Sequence, residues 1–487
     1  MRTFTLISLF ALSHATFAAD LEVASVFSDH MIVQEGLPIQ VWGWSAGDDQ
    51  IQVSWDGAIL ARTVSKNGEW RVALPAQAYG ENPFDAHSIT IASGLESIEL
   101  NDVLVGEVWL ASGQSNMSWP LRETNAFEET SARAATVGET SETRATPLPP
   151  IRGLRVFTVS RTSVPLPARD VVGDWRLFTV ANCSDFTAVG TYFGLDLLAA
   201  LDKPIGILHS SWGGSRVEAW MSPGALMEHA EGRSQLQLDV SSFPDRHKPA
   251  HLSNGMLSPL EGLSLAGCIW YQGESNAREP QAYGRLFPSM IDDWRRRFGD
   301  GNLPFYFVQL ANFLPGEGSD WPGLREAQRN TLSAVANSGM AVTIDVGNPH
   351  DIHPRNKKAV GARLARLALS GTYQKDVVAN APLPVRALHS DKNVCTVLFE
   401  DLGTTLTPSD PIAPLEGFEL AGKDGVFHPA TAAATGGVVL VVWVGEGAPM
   451  QVRYCWQDDP SGLNILRADG LPVSPFRLSV EAPSKTK

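Results

Sequence analysis

The apolar positions of this chain follow two rhythms. Over residues 20–104 short runs alternate with period two: Ile39-Gln-Val-Trp-Gly-Trp, Ile51-Gln-Val-Ser-Trp, Ile89-Thr-Ile and Ile98-Glu-Leu. Turn clusters such as Ala46-Gly-Asp-Asp and Lys66-Asn-Gly part them. Such alternation predicts half-buried strands and a small β-sandwich. Trp42, Trp44, Trp55 and Trp70 are expected to fill its core rather than form a sugar-stacking face. From residue 105 to 371 the rhythm changes. Continuous apolar runs at 105–111, 204–209, 265–271, 304–310 and 340–346 alternate with helical patterns at 193–201, 283–297 and 324–336. Repeated β-then-α units predict an α/β fold, a parallel sheet with helices on both faces and its loops of interest at the carboxyl ends of the strands. Residues 121–150, rich in Glu, Thr, Ala and Pro, read as a surface excursion near those loops. From 372 to 487 short alternating runs return, at 394–399, 438–444 and 450–456, predicting a second β-sandwich-like module.

Four polar clusters fall at predicted strand ends in the α/β region. They are Gly113-Gln-Ser-Asn, Ser210-Ser-Trp-Gly-Gly-Ser, Gln272-Gly-Glu-Ser-Asn, and Asp345 followed by His350-Asp-Ile-His-Pro. Acyl transfer needs a nucleophile, a base, an acid to orient the base, and donors for an oxyanion. Ser115, just past a strand end and two residues after Gly113, suits the nucleophile, with Ser275 competing because Gly-x-Ser-Asn occurs twice. His353 suits the base, with His350 competing. Asp351 suits the orienting acid, with Asp345 second. The N–H groups of Ser115 and Gly214, with a side-chain amide from the third cluster, would bind the oxyanion. Each residue also has a plainer use: Ser115 as a helix cap, the glycines as a turn, Glu274 as an ion-pair partner, His353 as the start of the helical pattern that follows Pro354. The chain has no G-x-S-x-G elbow and no HExxH, so neither an α/β-hydrolase nor a zinc protease is expected, and no metal or cofactor is required.

Composition narrows the partners. The chain has 487 residues with 44% hydrophobic and 19% charged positions and a net charge of −15. A strongly acidic chain is a poor nucleic-acid binder, and the arginine-rich residues 294–297 read as a solvated helix face. Residues 1–19 combine one arginine, an apolar stretch and small residues. They read as a secretory signal cleaved after Ala18, too short to span a bilayer, so a secreted or periplasmic protein without a membrane span is expected. Cys183 and Cys268 read as buried thiols; Cys395 and Cys455 could pair.

Motifs spread over the mature chain resemble one family. They are Phe27-Ser-Asp-His-Met, Val41-Trp-Gly-Trp, Glu107-Val-Trp-Leu-Ala-Ser-Gly-Gln-Ser-Asn-Met, Trp212-Gly-Gly, Glu218-Ala-Trp-Met, Asn254-Gly-Met, Trp270-Tyr-Gln-Gly-Glu-Ser-Asn, Leu324-Arg-Glu-Ala-Gln, Asp351-Ile-His-Pro and a tail from Val452-Arg-Tyr to Gly470-Leu-Pro-Val-Ser-Pro-Phe-Arg. In this order they resemble the sialate O-acetylesterase family of carbohydrate esterases, within the SGNH hydrolase superfamily. The resemblance implies an SGNH-like domain at 105–371 between β modules at 20–104 and 372–487. It also implies a secreted serine esterase acting on acetylated sialic acid or on acetylated plant polysaccharides such as xylan. It puts the nucleophile at Ser115 and the base at His353. The superfamily's acid three residues before the histidine falls on His350, which leaves Asp351 favoured over Asp345. Gln272, nearer the strand end than Asn276, would supply the oxyanion amide. Gln114, Arg216, Glu274 and Asn276 are the expected substrate contacts, and an arginine at 216 suits a sialic acid carboxylate. The reading from another class is a glycan-binding protein built around an inactive esterase-like domain.

Overall fold

The computed structural model describes residues 21–134, 153–391, 393–400 and 405–482. The signal-like stretch and most of the 121–150 excursion lie outside them. The central sheet is best numbered on its own, β1–β7 in chain order: β1 (Glu96–Gly113), β2 (Leu154–Thr158), β3 (Trp175–Leu177), β4 (Ile205–Ser211), β5 (Gly267–Tyr271), β6 (Phe305–Val308) and β7 (Ser338–Ala341). Their spatial order is β3-β2-β4-β1-β5-β6-β7, parallel throughout except for β3. The chain crosses from one side of β1 to the other between β4 and β5. That crossing makes the carboxyl end of β1 a topological switch point, the usual place for a ligand in an open α/β sheet.

Helices pack on both faces, and register identifies which. Trp109 pairs with Ile207 and Gly267 and shares their face, where it meets Phe193 edge-on at 5.0 Å. Phe193 lies on α2 (Ala188–Leu201), which follows the one-turn α1 (Ser115–Ser118). Trp270, one residue out of phase with that face, stacks on Phe287 at 6.2 Å and meets Trp294 at 5.5 Å. Those rings belong to α3 (Pro280–Phe298). Two further helices, α4 (Trp321–Ala334) and α5 (Lys357–Gly371), pair with α3 and α2 respectively. Local chemistry sets their ends. Asp320 caps α4 by accepting the Gly323 N–H, and Gly299 closes α3 at φ 77°.

The expected boundary at 104/105 falls inside one strand. β1 runs for 18 residues, pairing antiparallel with His87–Ser93 at its start and parallel with β4 and β5 at its end. Its sequence shows the change of role: residues 96–102 mix exposed and buried positions, whereas 103–113 are buried without interruption. The N-terminal strands and the central sheet are therefore one hydrogen-bonded surface. A smaller three-stranded sheet lies beside it, and Trp42, Trp44, Trp55 and Trp70 are buried, so none offers a stacking platform. The C-terminal region forms an eight-stranded and a three-stranded sheet.

Other differences from the sequence reading have electrostatic causes. β2 carries a buried arginine at its second position, Arg155, matched by Asp102 at 2.9 Å and by the carbonyls of Met31 and Asp102. Residues 294–297 are not a solvated face: only Arg296 is exposed, while Arg295 donates to the carbonyls of Leu303, Ala336 and Asn337. Within the excursion, Leu121 is buried and Thr124 bonds the Tyr192 hydroxyl at 2.8 Å. All four cysteines are buried free thiols. No helix among the described residues is long and apolar enough to cross a membrane.

Candidate active site

The site begins where β1 stops. Gly113 has φ +137°, and a Cβ there would collide with the Tyr271 carbonyl of β5, so only glycine fits. Gln114 donates its N–H to that same carbonyl at 2.9 Å, and its own carbonyl accepts from Met117 and Ser118, opening α1 at Ser115. The turn is fixed from several sides. Thr187 donates to the Met117 carbonyl at 2.7 Å, and Ser118 Oγ bonds Ser211 Oγ at 2.7 Å. Ser211 in turn bonds His209 Nε2 at 2.6 Å. The loop after β4 lies against the serine: a Cβ on Gly213 would sit 3.3 Å from the Ser115 Cβ. The N–H groups of Ser115 and Gly214 donate to no acceptor among the described residues. Free N–H groups at the start of a helical turn are what an oxyanion requires.

His353 reaches the same place from the loop between β7 and α5. Asp351 Oδ1 accepts the His353 backbone N–H at 2.9 Å, and the imidazole stacks on Trp119 at 4.5 Å and 18°. The two loops are joined by the residue after the nucleophile. Asn116 Nδ2 donates to the Ile352 carbonyl at 3.0 Å and to Glu274 Oε1 at 2.5 Å, and its Oδ1 accepts from Lys357 Nζ. Burial, then the Lys357 charge, lowers the His353 pKa, with Asp351 and Glu123 pulling the other way. A neutral imidazole is fit to accept a proton.

Several expected residues are placed otherwise. Asp345 does not face the imidazole: it is clamped by Arg363 at 2.6 and 2.8 Å and by Arg467 at 2.8 Å. Burial works to raise its pKa, but the two guanidiniums hold it low. Asp351 meets the backbone of His353, and the ring is oriented by Trp119. Gln272 is fully buried and both its amide hydrogens are engaged, with the Ser215 carbonyl at 3.0 Å and Asn276 Oδ1 at 2.8 Å. It braces the site and has no hydrogen left for an oxyanion. Asn276 is likewise internal, accepting from Val217 N at 3.0 Å and donating to Glu218 at 3.0 Å. Arg216 is neutralised by Glu218 and Glu279, which removes most of its pull on a substrate anion. Gln114 is buried, its Oε1 accepting the Ser275 N–H at 3.3 Å, and Glu274 lies beneath Asn116 with Oε2 buried and unpartnered. His350 is exposed. Among the described residues no group of three or more His, Cys, Asp or Glu is placed to hold a metal ion.

Three side chains at the site were not singled out from the sequence. Trp119 follows α1 and carries the imidazole. Lys357 begins α5. Arg246 lies against Gly214, whose Cβ, if it had one, would be 2.8 Å from Arg246 Nε. The Arg246 guanidinium has no hydrogen-bond or ion-pair partner among the described residues, and its neighbour His247 holds the Gly214 carbonyl at 2.8 Å. The only trace of this in the sequence is the basic triplet Arg246-His-Lys in an acidic chain.

Comparison with known proteins gives the chain its relatives. Residues 178–370 match the family described as carbohydrate esterase, sialic acid-specific acetylesterase. Sialate O-acetylesterase of Rattus norvegicus is 31% identical over 424 residues, covering 74% of this chain and 75% of the rat protein. The Homo sapiens enzyme is 30% identical over 399 residues, with 74% and 73% covered. A carbohydrate acetylesterase from Xanthomonas citri, known from its crystal structure, aligns with a TM-score of 0.81 at 38% identity over 94% of this chain and 99% of that one. By extent of identity and shared architecture, this chain belongs to the sialate O-acetylesterase family of carbohydrate esterases.

Proposed function

We propose that the protein removes O-acetyl groups from sugars through an acetyl-enzyme, with an SGNH-like arrangement of nucleophile and base at the switch point of the sheet. One observation carries the reading. Asn116, next to the proposed nucleophile, bonds the carbonyl of Ile352, next to the proposed base, so two loops more than 230 residues apart in sequence are held together at 3.0 Å. Ser115 Oγ attacks the acetyl carbonyl as His353 takes its proton, and the N–H groups of Ser115 and Gly214 receive the developing oxyanion. The tetrahedral intermediate collapses, the C–O bond to the sugar breaks, and the imidazolium returns its proton to the departing sugar oxygen. Water, deprotonated by His353, then attacks the acetyl-enzyme; acetate leaves and Ser115 recovers its proton. Asp351 supports the imidazolium by its charge and by fixing the loop.

Ser115→Ala is expected to abolish p-nitrophenyl acetate hydrolysis and fluorophosphonate labelling while circular dichroism stays unchanged. Full turnover in that variant refutes the mechanism. The substrate proposed is a sugar bearing both an acetyl ester and a carboxylate, such as acetylated sialic acid, because Arg246, beside Gly214 at the rim, has no ion-pair partner among the described residues. Arg246→Gln should raise KM for acetylated sialic acid about tenfold while leaving p-nitrophenyl acetate hydrolysis unchanged. Equal effects on both substrates, or on neither, remove Arg246 from recognition. Export through the N-terminal signal is part of the proposal; N-terminal sequencing of the mature protein should begin at Ala19.

A further inference from the structure

Lys357 stands where stability alone does not favour a lysine. It is fully buried, and it is the first residue of the 15-residue helix α5, so its cation faces the positive end of that helix dipole. Burial pushes its pKa down to about 7, with Glu274 and Asp351 pulling it back up. Residues that break local rules in this way concentrate at functional sites.

What the lysine touches explains its position. Its ammonium donates to Asn116 Oδ1 and lies 5.4 Å from the Tyr271 ring centroid and 5.9 Å from that of Trp119, the ring that carries His353. Asn116 spends its amide hydrogens on Glu274 Oε1 and on the Ile352 carbonyl. Lys357, Asn116 and Glu274 thus tie together α1, the loop after β5 and the loop that bears His353. We propose that Lys357 is a positioning residue of the esterase: it clamps Asn116 so that Ser115 and His353 stay aligned, and its positive charge keeps the imidazole neutral. This rests on the functional reading above.

The charged groups facing His353 are Lys357 on α5, Asp351 on its own loop and Glu123 at the end of the short turn Leu121–Glu123. Those facing Lys357 are Glu274 and Asp351. Lys357 is the one cation in the set, so its removal leaves only carboxylates, which favour the imidazolium. The base then needs a higher pH to be neutral.

The test is the pH profile of kcat/KM for p-nitrophenyl acetate, whose acid limb reports the free base. In Lys357→Gln, which keeps a donor for Asn116 without the charge, the acid limb should move up by about half to one pH unit and the plateau should fall about tenfold. In Lys357→Arg, which keeps the charge but alters its reach, the limb should stay in place while the plateau falls. A folded Lys357→Gln protein with the wild-type acid limb overturns the proposal, whatever its plateau. If that variant does not fold, Lys357→Arg decides: a limb that moves although the charge is retained overturns it. The two readings fail separately. Wild-type protein whose hydrolysis survives Ser115→Ala defeats the esterase mechanism, whereas an active, Ser115-dependent enzyme with an unmoved limb defeats only the role of Lys357.

Discussion

Replacing Arg325 with methionine tests how the C-terminal sheets are held to the catalytic sheet. Arg325 is a buried residue of α4. Its Nε and Nη2 donate to the carbonyls of Leu310 and Ala311 at 2.8 Å, beside the end of β6. Its Nη1 and Nη2 donate to Gln457 and Asp458 of the C-terminal region at 2.8 and 2.9 Å. Each such charge-assisted bond contributes about 1.5–3 kcal/mol, so four contribute roughly 6–12 kcal/mol before the cost of burying the guanidinium. That cost is several kcal/mol, and methionine escapes it while filling similar volume. The carbonyls of Leu310 and Gln457 are nevertheless left without donors, while Ala311 keeps the Trp321 indole N–H and Asp458 the Phe313 N–H, so a net loss of about 3–5 kcal/mol is expected. For a cooperative unit of a few hundred residues this corresponds to a fall in Tm of about 5–10 °C, measurable by calorimetry. Trypsin should also cut the connecting segment 372–383 sooner. Arg325→Lys should recover little, because one ammonium cannot span four carbonyls. The C-terminal region braces the loop before His353 as well: Asn312 bonds Asp459 at 2.9 Å and the Gly347 N–H at 2.8 Å. Activity should therefore fall before the protein unfolds. A Tm within about 1 °C of wild type, with unchanged proteolysis, would refute the reasoning.

Two further outcomes follow from the site. Asn116→Ala removes the bonds to Ile352, Glu274 and Lys357. It should lower kcat about a hundredfold with little change in KM, read by steady-state kinetics, since misplaced reacting groups cost that much; a normal kcat would show that the loops hold without it. Burial, with Arg161 adding to it, brings His209 from 6.5 down to about 4. Between those values the unfolded chain binds the extra proton, so stability is intact above about pH 6.5 and is lost as pH falls toward 4, on the order of 2–3 kcal/mol. Urea midpoints at pH 7 and 4.5 should converge in His209→Asn; an equal drop in both proteins rules His209 out as the cause.

The chain's own pattern determined the alternation of strands and helices, because period-two and period-3.6 burial are written directly into residue order. It also pointed to one edge for the polar clusters: parallel strands all end on the same side, so the loops that carry Ser115 and His353 leave the sheet at the same edge. Packing decided the rest. Arg155 hides a strand, since a charge inside an apolar run looks like a break until Asp102 is seen opposite it. Arg216 and Arg246 look equally free along the chain, and among the described residues the fold supplies carboxylates to the first and not to the second. Lys357 opens a helical pattern along the chain, and it is buried because α1 and the loops after β5 and β7 close over it. Local sequence fixes where backbone hydrogen bonds are made. The charge state and partners of a side chain depend on residues hundreds of positions away, which the tertiary structure alone brings into contact.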